Sequence, residues 1–241
     1  MLTDHRKALW YALGLMVAMA LVFVGVGRHP FEAAPDTSLA VIGEWDLSVY
    51  RGVDDVRNDP LTLIARGLNV VGGGVVTIPL RLGVAAWLAV RTRWRAFAVW
   101  VGTWAAAEIL LALAKGYFHR GRPSGSLVDT VGYSFPSGHA VAGAATAVAL
   151  VLVLMAAGSA RRRWEWAAVA FAFVMASSRV YLRAHWLSDV VAGVLLGAGV
   201  ALGVAAITTE IRDRALRGRR PARADPAART GSGAPAESGP A

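Results

Sequence analysis

The chain has 241 residues, 56% hydrophobic and 17% charged, with a formal net charge of +9 and no cysteine. An ordinary soluble domain is roughly 25% charged, so the balance argues against a soluble globule, and the missing cysteine excludes disulfides, thiolate metal sites and cysteine nucleophiles. All of the 25 basic residues except Lys7 and Lys115 are arginine, and they fall between apolar runs, a pattern of membrane topology and not of nucleic-acid binding.

A bilayer core takes about 20 apolar residues of helix. Residues 8–27, 140–160 and 190–209 are uncharged throughout and are predicted to span. Residues 96–114 form a further span broken only by Glu108, and 166–182 one that stays apolar until Arg179. A weaker span, 68–90, carries Pro79 and Arg81, and its start is blurred by Gly72, Gly73 and Gly74. The apolar stretch at 8–27 exceeds the roughly 7–15 residues of a signal-peptide core, so it is read as a retained span. The expected fold is therefore all-α, a bundle of six transmembrane helices formed by residues 1–216. Residues 217–241, rich in Ala, Pro, Gly, Ser and Arg, lack an apolar period and are expected to be a disordered tail.

Basic clusters set the orientation. Arg6 and Lys7, then Arg91, Arg93 and Arg95, then Arg161 to Arg163, then Arg212, Arg214, Arg217, Arg219 and Arg220 alternate consistently with both termini in the cytoplasm. Segments 28–67, 115–139 and 183–189 are then extracytoplasmic, and the first of them carries seven acidic residues, among them Asp46 and Asp54. Within the spans, Glu108 is expected to pair with Arg81, because an ionisable group in a membrane needs a partner. Small-residue runs at 142–147 and 193–203 are expected to allow close helix packing.

The outer ends of the spans gather cations, histidines and a carboxylate at one depth. Lys115 offers a point charge, and Arg122 and Arg179 offer planar forks that match phosphate oxygens. Ser137 and Gly138 stand where a helix begins and backbone N–H groups are unpaired, and Pro136 is expected to open that helix. His185 and Asp189 are four apart, hence on one face if the helix has begun by then. The carboxylate would fix the imidazole tautomer and leave the other nitrogen as nucleophile. His139 follows the cradle as general acid. This set predicts a displacement at phosphorus through a phosphohistidine, with the cations stabilising charge and no metal or other cofactor required. Ser178 is expected to pack at a helix end, and His119, Arg120 and Arg183 to be surface-exposed beside the site.

Lys115-x6-Arg122-Pro123, Pro136-Ser137-Gly138-His139 and Ser178-Arg179-x5-His185-x3-Asp189 together resemble the three-part signature of the type 2 phosphatidic acid phosphatase superfamily. The resemblance implies that Lys115, Arg122, Ser137, Gly138 and Arg179 bind phosphate, that His139 is the acid, His185 the nucleophile and Asp189 its orienting partner. It also implies a magnesium-independent membrane enzyme acting on a lipid phosphate or diphosphate: polyprenyl diphosphate, phosphatidic acid or phosphatidylglycerol phosphate. A phosphotransferase built on the same site and a non-catalytic lipid-binding or transport protein are the alternatives. Soluble relatives, the vanadium haloperoxidases, hold vanadate in the same cradle. Nucleic acid is not an expected partner, and oligomeric state has no signal in the sequence.

Overall fold

A computed structural model describes residues 5–26 and 40–218. Eight α-helices occur among them: α1 (His5–Val26), α2 (Ala40–Gly52), α3 (Asp59–Gly72), α4 (Gly74–Val90), α5 (Trp94–Phe118), α6 (Gly138–Leu154), α7 (Ser159–Tyr181) and α8 (Leu187–Gly218), with a 3-10 turn at Asp54–Val56. Three stretches are long and apolar enough to cross a membrane: Arg6–Val26, Trp94–Phe118 and Leu187–Arg217. The pair α3 and α4 makes a fourth if it counts as one span, bent by 44°. The protein is a multi-pass membrane protein. Helix α8 continues through Gly218, past the expected boundary at 217; the remainder of the expected tail, residues 219–241, lies outside the described residues, as do 27–39 of the first loop.

The expected span at 68–90 is two helices. Asn58 caps α3 by accepting the Leu61 N–H at 2.9 Å, with Pro60 in the first turn where a missing N–H costs nothing. Gly73 is extended (φ −78°, ψ 165°) and both ends α3 and opens α4. Its carbonyl accepts the Thr77 N–H and hydroxyl, so the break leaves that acceptor satisfied. The apolar pattern alone hid the bend, because the glycines are as hydrophobically neutral as their neighbours are apolar.

Helix α6 runs through the middle of the bundle, between α5, α7 and α8. It stops at Leu154, short of the expected 160, and α7 begins earlier than expected. Ala140, Val141, Ala144, Ala145 and Ala149 bury its inner face. The small-residue runs serve the close approach expected of them. A Cβ at Gly197 would stand 2.9 Å from the Ala145 amide and 3.1 Å from the Ala144 methyl, and would strike the Val141 carbonyl. Helix α1 packs on α8, with Met16 and Met19 joining the cluster of Val141, Leu196 and Val200.

Arg81 and Glu108 pair as expected, at 2.7 Å. Arg81 is buried and Glu108 half exposed. The guanidinium also donates to Thr146 Oγ1 and lies 5.5 Å from the centre of the Trp104 ring. The pair joins α4 to α5 within the bundle, which makes a structural role the expected one: Glu108→Gln should lower the thermal unfolding midpoint while leaving turnover near that of the unmodified protein. Loss of turnover in a variant that keeps its stability would reassign Glu108 to the chemistry.

Candidate active site

The end of α5, the start of α6, the end of α7 and the start of α8 meet at one end of the bundle. The loop 119–137 crosses over them. Phe23, Phe118 and Phe135 hold its ends by edge-on ring contacts at 4.7–5.1 Å. The α7–α8 turn is built by Ala184 N–H and His185 N–H, which both donate to the Arg179 carbonyl. This turn, and not helical spacing, brings His185 to Asp189, because α8 begins only at Leu187.

Asp189 is the third residue of α8 and accepts the Trp186 N–H at 2.9 Å through Oδ2, a capping-box contact that satisfies a donor at the helix start. The same Oδ2 faces His185 Nδ1 at 3.4 Å. On the other side of the ring, Arg122 Nη1 lies 3.1 Å from His185 Nε2. A guanidinium only donates, so Nε2 carries the lone pair and Nδ1 carries the hydrogen directed at Asp189. Burial, reinforced by Arg122 and Arg179 against the opposing pull of Asp189, lowers the His185 pKa from 6.5 to about 4.

The phosphate-binding candidates converge here. Arg122 donates Nε to the Gly132 carbonyl at 2.9 Å and Nη1 to that of Ala184 at 2.8 Å. Lys115 Nζ and Arg122 Nη2 both donate to the Tyr133 carbonyl. Ser137 caps α6, but its N–H is used by the Asp189 carbonyl at 3.0 Å. Pro136 therefore precedes the cap and is not the first helical residue, as the sequence suggested. The Ser137 hydroxyl and Arg179 Nε are buried without a hydrogen-bond partner. Buried polar atoms of this kind are costly unless a ligand completes them, and an anion with several oxygens suits both.

His139 Nε2 donates to the Asn69 carbonyl at 3.0 Å, since a carbonyl only accepts. The Asn69 side-chain oxygen accepts from Arg179 Nη1. One residue of α3 thus holds both the candidate acid and a phosphate fork. Gly72 makes the approach feasible: a Cβ there would stand 2.7 Å from His139 Cδ2 and 2.8 Å from Met175 Sδ. Seven of the eight candidates from the sequence are therefore joined by these contacts, and Gly138 follows Ser137 as the first residue of α6.

Several members of the cluster escaped sequence reasoning. Arg120, expected at the surface, is 7% exposed. It donates to Asp189 Oδ1 at 2.6 Å, to Ser188 Oγ at 2.7 Å and to Asp46 Oδ2 at 2.7 Å. Burial works against its charge, and Asp189 and Asp46 more than offset this, raising its pKa above the ordinary value. Asp46 also accepts the Ser188 N–H at 2.8 Å and so caps α8 from α2. Arg183, likewise expected at the surface, is mostly buried, pairs with Asp54 at 2.5 Å and covers the Tyr50 ring. Asn69 had one signal, a lone amide in an apolar run; Asp46 had none, because it lies over 70 residues from Arg120 and looks like any loop carboxylate. Ser178 is buried and donates to the Met175 carbonyl, the helix-end role expected of it.

Removing one partner of a buried pair strands the other charge, at a cost of about 3–5 kcal/mol. Asp46→Ala should therefore destabilise the protein by about that much, and Asp46→Asn by less, in denaturant unfolding in detergent. Equal and small effects from both would show that Arg120 finds other partners.

Residues 96–213 match the family model described as the PAP2 superfamily. No curated protein sequence matches the chain at a significant level. Among solved structures, the fold is similar to a transmembrane PAP2 type phosphatidylglycerolphosphate phosphatase from Bacillus subtilis, with TM-score 0.69 and 20% identity, over 85% of this chain and 97% of that one. It is also similar to Aquifex aeolicus LpxE, with TM-score 0.55 and 20% identity, over 68% of this chain and 94% of that one. The matched stretch spans the whole cluster from Lys115 to Asp189, so the part of the chain that carries the site is similar to the PAP2 superfamily.

Proposed function

We propose that the protein is a membrane lipid phosphatase that hydrolyses a lipid phosphate or diphosphate through a phosphohistidine, without a metal ion. The observation that carries this reading is the direction of His185. Its Nε2 lone pair faces the Arg122 guanidinium at 3.1 Å, while Asp189 lies at Nδ1. The nucleophilic atom and the phosphate fork therefore address the same point.

In the first step the Nε2 lone pair forms a bond to phosphorus as the bond from phosphorus to the leaving oxygen breaks. His139 gives that oxygen a proton. Arg122, Arg179, Lys115, the Ser137 hydroxyl and the Gly138 amide bind the other oxygens, where charge builds in the transition state. Asp189 stabilises the positive charge that develops on the His185 ring. In the second step water attacks phosphorus, His139 takes its proton, and the bond from phosphorus to nitrogen breaks, returning His185 neutral and releasing inorganic phosphate.

The topology that fits is six crossings: α1, the α3–α4 pair, α5, α6, α7 and α8, with both termini cytoplasmic. The basic clusters at residues 91–95, 161–163 and 212–217 all fall at the end of the bundle away from the site, and arginine collects on the cytoplasmic side. The site then opens on the extracytoplasmic face near the headgroup plane, where a lipid enters with its tail still in the bilayer. Polyprenyl diphosphate, phosphatidic acid and phosphatidylglycerol phosphate are the substrate candidates, and the similarity to a phosphatidylglycerolphosphate phosphatase favours the last.

The test is phosphate release from these three lipids by purified protein in EDTA, with product analysis. Release from none would leave the lipid-binding or transport reading, and transfer to an alcohol in place of water would make it a phosphotransferase. His185→Ala should lower turnover by at least about a thousandfold, the scale of losing an essential nucleophile, with the protein still inserted; near-normal turnover would overturn the assignment. The pH dependence has a definite sign. His185 attacks only when neutral, and its pKa of about 4 keeps it neutral above that pH. The acid limb of kcat/KM should therefore fall well below the ordinary imidazole value of about 6.5. An acid limb at 6.5 or higher would count against His185 as the nucleophile.

A further inference from the structure

At the end of the bundle away from the catalytic cluster, the start of α5, the end of α6 and the last turns of α8 enclose a cavity of about 660 Å³. From Lys115 it is about 30 Å along α5, at 1.5 Å per residue. Arg93, Arg95 and Arg212 line it, and no carboxylate does. Arg212 is paired with Asp213 at 2.6 Å. Arg93 donates to the Val153 carbonyl at 2.7 Å, which pins its fork at the cavity wall without neutralising it. Arg95 has no carboxylate partner among the described residues. The cavity therefore carries a positive excess.

Residues 152–156, at and just past the end of α6, supply an apolar wall, and Thr92, Thr208 and Thr209 add hydroxyls beside the arginines. Leu154 and Trp94 line the cavity and are also exposed on the outside of the bundle, at 43% and 61%. A charged interior joined to an exposed apolar lip is the combination that fits an amphiphile: phosphate against the guanidinium forks, acyl chain across Leu154 and Trp94. The volume lies in the range of about 300–1,000 Å³ that ligand pockets occupy. The inward bias of arginine explains why basic residues collect at this end, but it does not explain why three of them line one cavity while Arg214 and Arg217 lie outside it.

We propose that this cavity is a second lipid site, holding the phosphate headgroup of an anionic membrane lipid as a bound structural ligand and not as substrate. It joins α5, α6 and α8 at the far end of the bundle, where Arg93 on the α4–α5 connection already reaches α6. The proposal does not rest on the phosphatase reading, since it concerns other residues and needs no turnover.

The test is native mass spectrometry of the purified full chain in detergent, titrated with dioleoylphosphatidylglycerol or dioleoylphosphatidylcholine. The protein should retain phosphatidylglycerol in preference to phosphatidylcholine. Arg95→Ala with Arg212→Ala should weaken that retention about tenfold or more, while Arg214→Ala with Arg217→Ala should leave it unchanged. Should the first double variant fail to fold, Arg95→Ala alone and the paired lysine replacements give the same reading, with a smaller loss for lysine, which keeps the charge but not the fork. Equal retention by the cavity variant and the unmodified protein, or equal retention of the two lipids, would overturn the proposal. So would inorganic phosphate alone, at millimolar concentration, giving a thermal stabilisation that depends on Arg95 and Arg212, because the site would then take a free anion.

Discussion

The Asp189 carboxylate is fully buried, and a buried charge costs several kcal/mol unless it is paired and hydrogen-bonded. Its two oxygens are divided among the Arg120 guanidinium, the Trp186 amide and the His185 ring. Each donor comes from a different structural task. Arg120 belongs to the loop after α5 and carries Asp46 of α2 with it. The Trp186 amide is a free donor at the start of α8. His185 is the group whose orientation the chemistry needs. Solving the burial problem of one carboxylate therefore fixes a loop, a helix start and the proposed nucleophile at once. The small helix α2, which packs Ile42 and Val49 against the bundle, is also tied to the site because Arg120 has more donors than Asp189 can accept.

A second clamp works from the opposite side. A helix has few free carbonyls except near its end, and the break at Gly73 makes α3 end beside the site. Asn69, within the last turn of α3, can then offer its backbone carbonyl to His139 and its side-chain oxygen to Arg179. The bend and the clamp are one device: an unbroken helix would carry Asn69 past the site with its carbonyl engaged. Gly72 removes the Cβ that would separate the helix from the His139 ring.

The two ends of the bundle use arginine for different purposes. At the site end Arg120, Arg122 and Arg179 are each held by carbonyls or carboxylates, so the Arg122 and Arg179 forks are already fixed for the phosphate-binding role proposed for them. At the far end Arg95 and Arg214 are exposed, and the roles proposed for charge there are in topology and in lipid binding. The middle of the bundle carries one ion pair, Arg81 with Glu108, braced by Thr146 and Trp104. Elsewhere its packing depends on alanine and glycine between α6 and α8, where no charge would fit.

The sequence by itself determined the all-helical class, the main apolar segments and the three motifs whose residues the fold brings to one end of the bundle, because hydropathy is a local property and the motifs keep residues of fixed chemistry at fixed spacing. It also determined the pairing of Arg81 with Glu108, since two charges in apolar spans have few other options. Only the tertiary structure decided that the second apolar segment is a bent pair, that Ser137 spends its amide on Asp189, and that Arg120, Asp46 and Asn69 hold the cluster together. Those contacts join residues 52 to 142 positions apart in the chain, and a polar side chain carries no mark of the partner it will meet at that distance. The partner is chosen by which helix ends are brought together and by which buried donors and acceptors are left to satisfy.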